Sequence, residues 1–121
     1  MEDKIIEMTP TKIGTARVSS RTILAPKESL TYQNCEKLET MFNDSLSQHK
    51  TEIILDCKAV SFMDSDALEL LLRFHEELSN RGGRLKIIGL NTVCRDILNA
   101  TRIISVLNVY EDIHQAVKGV S

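Results

Sequence analysis

The sequence predicts an α/β domain, a mixed sheet of roughly four to five strands packed by about four helices. Three observations predict it. Short apolar runs of strand length occur at Arg21-Thr22-Ile23-Leu24-Ala25, from Glu52 to Cys57 and from Arg84 to Gly89. Between them lie longer stretches whose apolar residues recur at helical spacing. Within T-E-I-I-L-D-C-K-A-V-S-F-M-D-S-D-A-L-E-L-L-L, Thr51 to Leu72, the chain passes from the first pattern to the second at Asp64-Ser65-Asp66. Strands alternating with helices imply parallel pairing, because parallel neighbours need a crossover rather than a tight turn.

In chain order, residues 1–20 scatter Ile5, Ile6, Met8, Ile13, Ala16 and Val18 among polar residues, with Pro10 and Gly14 as breaks. One or two irregular strands are expected there, and they supply the antiparallel pairing of the mixed sheet. The strand at Arg21 to Ala25 stops at Pro26, which cannot donate to a ladder. From Thr31 to His49 the positions Cys35, Leu38, Met41, Phe42 and Leu46 make one helix face, with Thr31 as its expected N-cap. Glu52 to Cys57 is apolar enough for a central strand. Ser61-Phe62-Met63 is a second short apolar piece, of which Phe62 and Met63 are expected to seat the following turn against the core. The next helix turns Leu68, Leu71, Leu72, Phe74 and Leu78 inward, and Glu69, Arg73, Glu76, Glu77 and Arg81 outward. Asn80-Arg81-Gly82-Gly83 ends it, glycine being suited to the left-handed backbone of a helix terminus. Asn91 is placed to cap a short helix through Val93, Ile97 and Leu98. Ile103 to Val109 is expected to hold a last strand, and Glu111 to Lys118 a last helix. No linker, repeat or low-complexity tract divides residues 1–121, so one domain is expected.

Composition narrows the function classes. Charged residues are 26% of the chain, 15 basic against 17 acidic, and hydrophobic residues 42%. That balance favours neither disorder nor the field that recruits nucleic acid or anionic lipid. The opening M-E-D-K-I-I-E lacks the basic flank and apolar core of a secretory signal, and no run reaches the ~20 apolar residues of a membrane span. Cys35, Cys57 and Cys94 are an odd number without close pairing, which points to a reducing compartment. The expectation is a cytoplasmic protein with no membrane insertion and no direct nucleic-acid contact.

Most enzyme chemistry lacks its residues. His49, His75 and His114 stand far apart and beside no cysteine or carboxylate at ligand spacing, so exposed helix histidines are expected and no metal. Cys57 and Cys94 read as small buried hydrophobes. Gly82-Gly83 follows a helix rather than a strand, so it is a turn and not a phosphate loop, and no cofactor is expected. Arg81 and Arg84 are too few for a nucleic-acid patch. At Asp64-Ser65-Asp66, residue type and position by themselves indicate a helix cap, formed by Asp64 or Ser65.

The run L-D-C-K-A-V-S-F-M-D-S-D-A-L-E-L-L-L followed by N-R-G-G-R-L-K-I-I-G resembles the STAS domain family, and within it the bacterial anti-sigma factor antagonists. The resemblance covers roughly Thr22 to Val117. The family pattern is an aspartate ending a strand, a loop, an aromatic or aliphatic pair, then D-S-S-G-L or D-S-T-G-L at a helix start. Asp56, Phe62-Met63, Asp64, Ser65 and Leu68 match it, as does Gly82-Gly83 before the next strand. The resemblance implies that Ser65 is phosphorylated by a serine-protein kinase that is also an anti-sigma factor, and that a serine phosphatase resets it. Partner contact is expected from Asp64, Ser65, Asp66 and Ala67, and from Ser29 and Thr31. The last two lie in A-P-K-E-S-L-T, which stands where the family favours a G-x-L-D-like segment. Two departures mark this chain: Asp66 replaces the second hydroxyl residue and Ala67 the glycine.

By that resemblance the protein is expected to be an anti-sigma factor antagonist, a non-catalytic binding module regulating transcription by partner switching. A phosphate at Ser65 would be tolerated at a helix N-terminus but would oppose a docked partner beside Asp64 and Asp66. The alternative is a soluble STAS regulatory subunit of a lipid or anion transporter.

Overall fold

In the computed structural model, which describes residues 4–7 and 21–118, five strands pair in the order in which the chain makes them. Strand β1 is Lys4–Glu7 and β2 Arg21–Ala25; helix α1 is Cys35–Ser47, followed by β3 Glu52–Asp56. Helix α2 is Ser65–Asn80, then come β4 Arg84–Ile88 and α3 Thr92–Ala100. A single 3-10 turn at Ile103–Ser105 leads to β5 Asn108–Tyr110 and to α4 Ile113–Lys118.

Every described ladder is parallel, with Ile5 opposite Ile23, Ile23 opposite Ile54, Ile54 opposite Lys86 and Lys86 opposite Asn108. The expected mixed sheet is therefore corrected to a parallel one among the described residues. Apolar spacing carries no information on strand direction, and the segment between Glu7 and Arg21 is long enough for the crossover of about a dozen residues that parallel neighbours need. Expected strand content at residues 8–20 lies outside the described residues.

Sequential parallel order has a geometric consequence. Right-handed crossovers between neighbours taken in order place the connecting helices on one face of the sheet. Leu24, Ile53, Leu55, Leu85 and Ile87 face α1, α2 and α3 there, packed against Leu38, Phe42, Leu71, Phe74, Leu78 and Leu98. The rings of Phe42 and Phe74 stack 3.7 Å apart between α1 and α2. Alternate residues Ile23, Ile54 and Ile88 face the other way, where Ala116 of α4 completes a smaller cluster. Ile53, Ile54 and Leu55 are thus buried on both sides of β3, each burial contributing about 1.5–3 kcal/mol.

The second face also buries a lysine. Lys86 is 6% exposed; its Nζ donates to the Ala116 carbonyl at 2.7 Å and lies 2.6 Å from Glu52 Oε2. Arg21 Nε donates to Glu52 Oε1 at 3.0 Å. Taking ions out of water costs several kcal/mol each, so these contacts are needed to offset the burial. They also tether α4 to the sheet.

Several element boundaries differ from expectation for local reasons. Helix α1 begins at Cys35 rather than near Thr31, because Asn34 Oδ1 accepts the Thr31 amide at 2.9 Å and closes a turn ahead of it. The last strand is displaced to Asn108–Tyr110 by the 3-10 turn. Helix α2 does end at the double glycine: Gly82 has φ +78, and a Cβ on Gly83 would overlap the Thr51 carbonyl. Among the histidines, His49 and His114 are exposed, but His75 is half-buried.

Partial burial pushes the Glu52 carboxyl upward, but Lys86 and Arg21 outweigh it and hold it below its ordinary 4.5. A depressed folded value contributes stability that is present above the unfolded value and lost as pH falls through the folded one. Thermal unfolding of the wild type should therefore lose stability steeply below about pH 4.5. Glu52→Gln is expected to be less stable at neutral pH and to show a shallower slope in that acid window. An unchanged acid slope would contradict the assignment.

Candidate functional site

Two loops at the carboxyl ends of β2 and β3 are joined by one isolated parallel bridge, Leu30 to Met63. The Leu30 amide donates to the Phe62 carbonyl and the Asp64 amide donates to the Leu30 carbonyl, both at 3.1 Å. Leu30 and Met63 are buried beneath the bridge, which anchors this small ladder in the core.

Asp64 then locks the junction. Its extended backbone makes it the N-cap of α2, and its Oδ1 accepts the Ala67 amide at 3.0 Å, one of the donors a helix start leaves without a partner. Its Oδ2 accepts the Tyr32 amide at 2.8 Å from the other loop. One carboxylate therefore both caps the helix and holds the β2–α1 loop against it. Of the two cap residues open on sequence, Asp64 takes the role.

Ser65 is consequently freed for another use. It is the first residue of α2 and exposed, and among the described residues its hydroxyl has no hydrogen-bond partner. Asp66 beside it is also exposed. Ala67 is buried, so it shapes this surface from below while Leu68 enters the core.

Ser29 and Thr31 are brought to the same place, though with local bonds of their own. The Ser29 hydroxyl accepts the Phe62 amide at 3.3 Å, and the Ser29 carbonyl accepts from Asn34 Nδ2 at 2.6 Å. Thr31 Oγ1 accepts the Gln33 amide at 3.3 Å. A third element joins through Asn91, the N-cap of α3: its Oδ1 accepts the Cys94 amide, and its Nδ2 donates to the carbonyls of Val60 and Ser61. All six residues expected from the sequence thus belong to one platform.

Two further residues were not legible as surface features. Tyr32 is 68% exposed and Phe62 46%, each in one of the two loops that the Leu30–Met63 bridge joins. Phe62, expected to seat the turn, leaves that role to Met63, because the bridge directs adjacent residues to opposite sides. Tyr32 stands in the polar run Thr31-Tyr32-Gln33-Asn34, where an aromatic with no apolar periodicity is the available signal.

The cysteines lack nucleophile character. Burial pushes the Cys35 thiol up, and the carboxylates of Asp64, Asp66 and Glu39 push it further, against Arg73. Cys57 is pushed strongly up by full burial and Cys94 by burial as well. A thiol held protonated is a poor nucleophile and metal ligand.

Loss of the Asp64 carboxylate removes a cap and a clasp together. Asp64→Ala is expected to cost about 1–3 kcal/mol in urea unfolding. It should also speed amide exchange at Tyr32 and Ala67 more than at Leu98. Unchanged protection at Tyr32 would contradict the two-point role.

The STAS domain family profile matches residues 10–116. Among curated protein sequences none matches the chain. Among solved structures, a Thermotoga maritima protein described as a candidate anti-sigma factor antagonist superposes with TM-score 0.79 at 23% identity, covering 85% of this chain and 89% of that one. The anti-sigma factor antagonist SpoIIAA in its unphosphorylated form gives 0.65 at 16% identity, covering 87% and 92%. The murine anion transporter Slc26a9 gives 0.67 at 16% identity, covering 84% of this chain but 18% of the transporter. At these identities the superpositions show a shared fold, and the profile match spans most of the sequence. The chain belongs to the STAS domain family.

Proposed function

We propose that this protein is an anti-sigma factor antagonist that binds an anti-sigma factor with serine kinase activity and releases it when Ser65 is phosphorylated. The observation that carries the reading is the division of labour at the start of α2. Asp64 performs the capping, so the exposed Ser65 hydroxyl is a free acceptor on a rigid platform. The folds of SpoIIAA and of the Thermotoga protein support the class of partner.

The switch follows from charge. Phosphate adds about −1.5 to −2 charges and three acceptor oxygens. At the first turn of α2 the helix dipole and free amides favour an anion, so the fold is retained. A partner seated on Tyr32 and Phe62 would instead desolvate phosphate together with Asp66, and that costs several kcal/mol unless a cation pairs with it. Asp66 alone brings one charge without the three-oxygen geometry, so it imitates phosphate only in part. A serine phosphatase would restore the binding state.

The second reading, a soluble regulatory subunit of a transporter, draws on the fold shared with the murine anion transporter. The partner captured from native cells distinguishes them: a kinase-like anti-sigma factor in the first case, a permease or its ATPase in the second.

With the captured anti-sigma factor as titrant, Ser65→Ala is expected to bind like the unmodified wild type and Ser65→Glu at least about tenfold more weakly, since one unscreened charge of a pair is worth upward of 1 kcal/mol at an interface. Equal affinities for the two variants would refute the switch. In the same titration, Tyr32→Ala and Phe62→Ala should each weaken binding by about 2 kcal/mol, the cost of removing an aromatic anchor, with an unchanged melting temperature. Loss of less than about 0.5 kcal/mol at both would place the interface elsewhere.

A further inference from the structure

The face of the sheet opposite α1, α2 and α3 carries a second candidate site, unrelated to Ser65. Among the described residues α4 is the helix on this face, and where the chain crosses over to it a crevice of about 430 Å³ opens beside Ile23 of β2 and at the carboxyl ends of β3 and β4. This volume is within the range that holds small molecules.

Its walls are Ile23, Ile88 and Ile113, and its mouth carries Asp56, Lys58, Glu111 and Asp112. The wall formed by α4 is held in place by the buried Lys86, whose ammonium donates to the Ala116 carbonyl. The crevice is therefore preformed.

Among the described residues the mouth carries three carboxylates against the Lys58 ammonium, and Glu111 is paired with Arg95 at 3.4 Å. Asp56 is its fixed charge. The Asp56 side chain is only 15% exposed, and its Oδ1 is held by the Lys58 amide at 3.1 Å. Its Oδ2 faces the Lys58 ammonium at 3.5 Å, but that side chain is 78% exposed. An exposed lysine on a long flexible stem is weakly held and swings away at little cost. Glu111, also largely exposed, and Asp112 stand on the far side of the mouth.

We propose that this crevice binds a small amphipathic cation, with an aliphatic tail against Ile23, Ile88 and Ile113 and an ammonium head that takes the place of Lys58 at Asp56. Lys58 is then an internal competitor. This gives a signature that apolar binding alone lacks: removing Asp56's charge weakens the ligand, and removing Lys58 strengthens it.

The test uses the full chain, labelled with nitrogen-15 and titrated separately with octyltrimethylammonium, octyl sulfonate and octyl glucoside below their micelle concentrations. The cation should shift the amides of Ile88, Gly89 and Ile113 and bind about fivefold more tightly than the sulfonate, as expected for one partly screened charge contact. Asp56→Asn should remove that preference, and Lys58→Ala should tighten the cation by about threefold while leaving the glucoside unchanged. Equal or tighter binding of the sulfonate or the glucoside, absence of binding by the cation, shifts elsewhere in the chain, or a Lys58→Ala variant that does not gain affinity for the cation would each overturn the proposal. Should Asp56→Asn fail to fold, the sulfonate comparison and Lys58→Ala decide it.

Discussion

The Asp64 carboxylate is the constraint on which the candidate functional end of this domain depends. With one oxygen on the Ala67 amide and the other on the Tyr32 amide, it joins the start of α2 to a loop far away in sequence. The Leu30–Met63 bridge beneath it supplies apolar anchorage, and Asn91 ties the start of α3 to the loop between β3 and α2. None of these contacts uses Ser65. A side chain at a helix start usually has to choose between capping and display, and here adjacent residues divide the two tasks.

That division would leave the fold stable under the change of charge at Ser65 that we propose. The bonds that define the platform are made by backbone amides, the Asp64 carboxylate and buried leucine and methionine side chains. A phosphate would add to the field at the helix start without replacing any of them. On the proposed reading the energetic consequence would fall on a partner docked beside Tyr32 and Phe62, since association must desolvate the new charge. On that reading, capping and recognition lie one residue apart in sequence.

Much of this was legible from residue pattern. The run Ile53-Ile54-Leu55 announces a strand covered on both faces, Leu68 to Leu78 announces an inward helix face, and Gly82-Gly83 marks its end; each is a local signal set by burial or backbone geometry. Strand direction was not legible at the N-terminus, because alternation of apolar residues is the same in either orientation. Thr31 looked like a cap because residue type alone cannot show that Asn34 closes a turn first. At the site, Asp64, Ser65 and Asp66 could be named but not assigned their roles, since the amide that Asp64 clasps belongs to Tyr32 in another loop. Phe62 was placed inside because hydrophobicity indicates burial without indicating which of two neighbours a bridge turns inward. Lys86 lies in β4 with partners, Glu52 and the Ala116 carbonyl, that come from distant elements and that residue pattern does not connect.

The central claim is that modification of Ser65 changes the surface and leaves the platform intact. Its most direct measurement is amide exchange and chemical-shift mapping of protein carrying phosphoserine at position 65, beside the unmodified form. The account predicts shifts confined to the residues around Tyr32, Phe62 and the first turn of α2, with the Tyr32 and Ala67 amides as protected as before. Loss of that protection, or shifts spread through the core strands, would contradict it and point to a switch that works by unfolding the clasp.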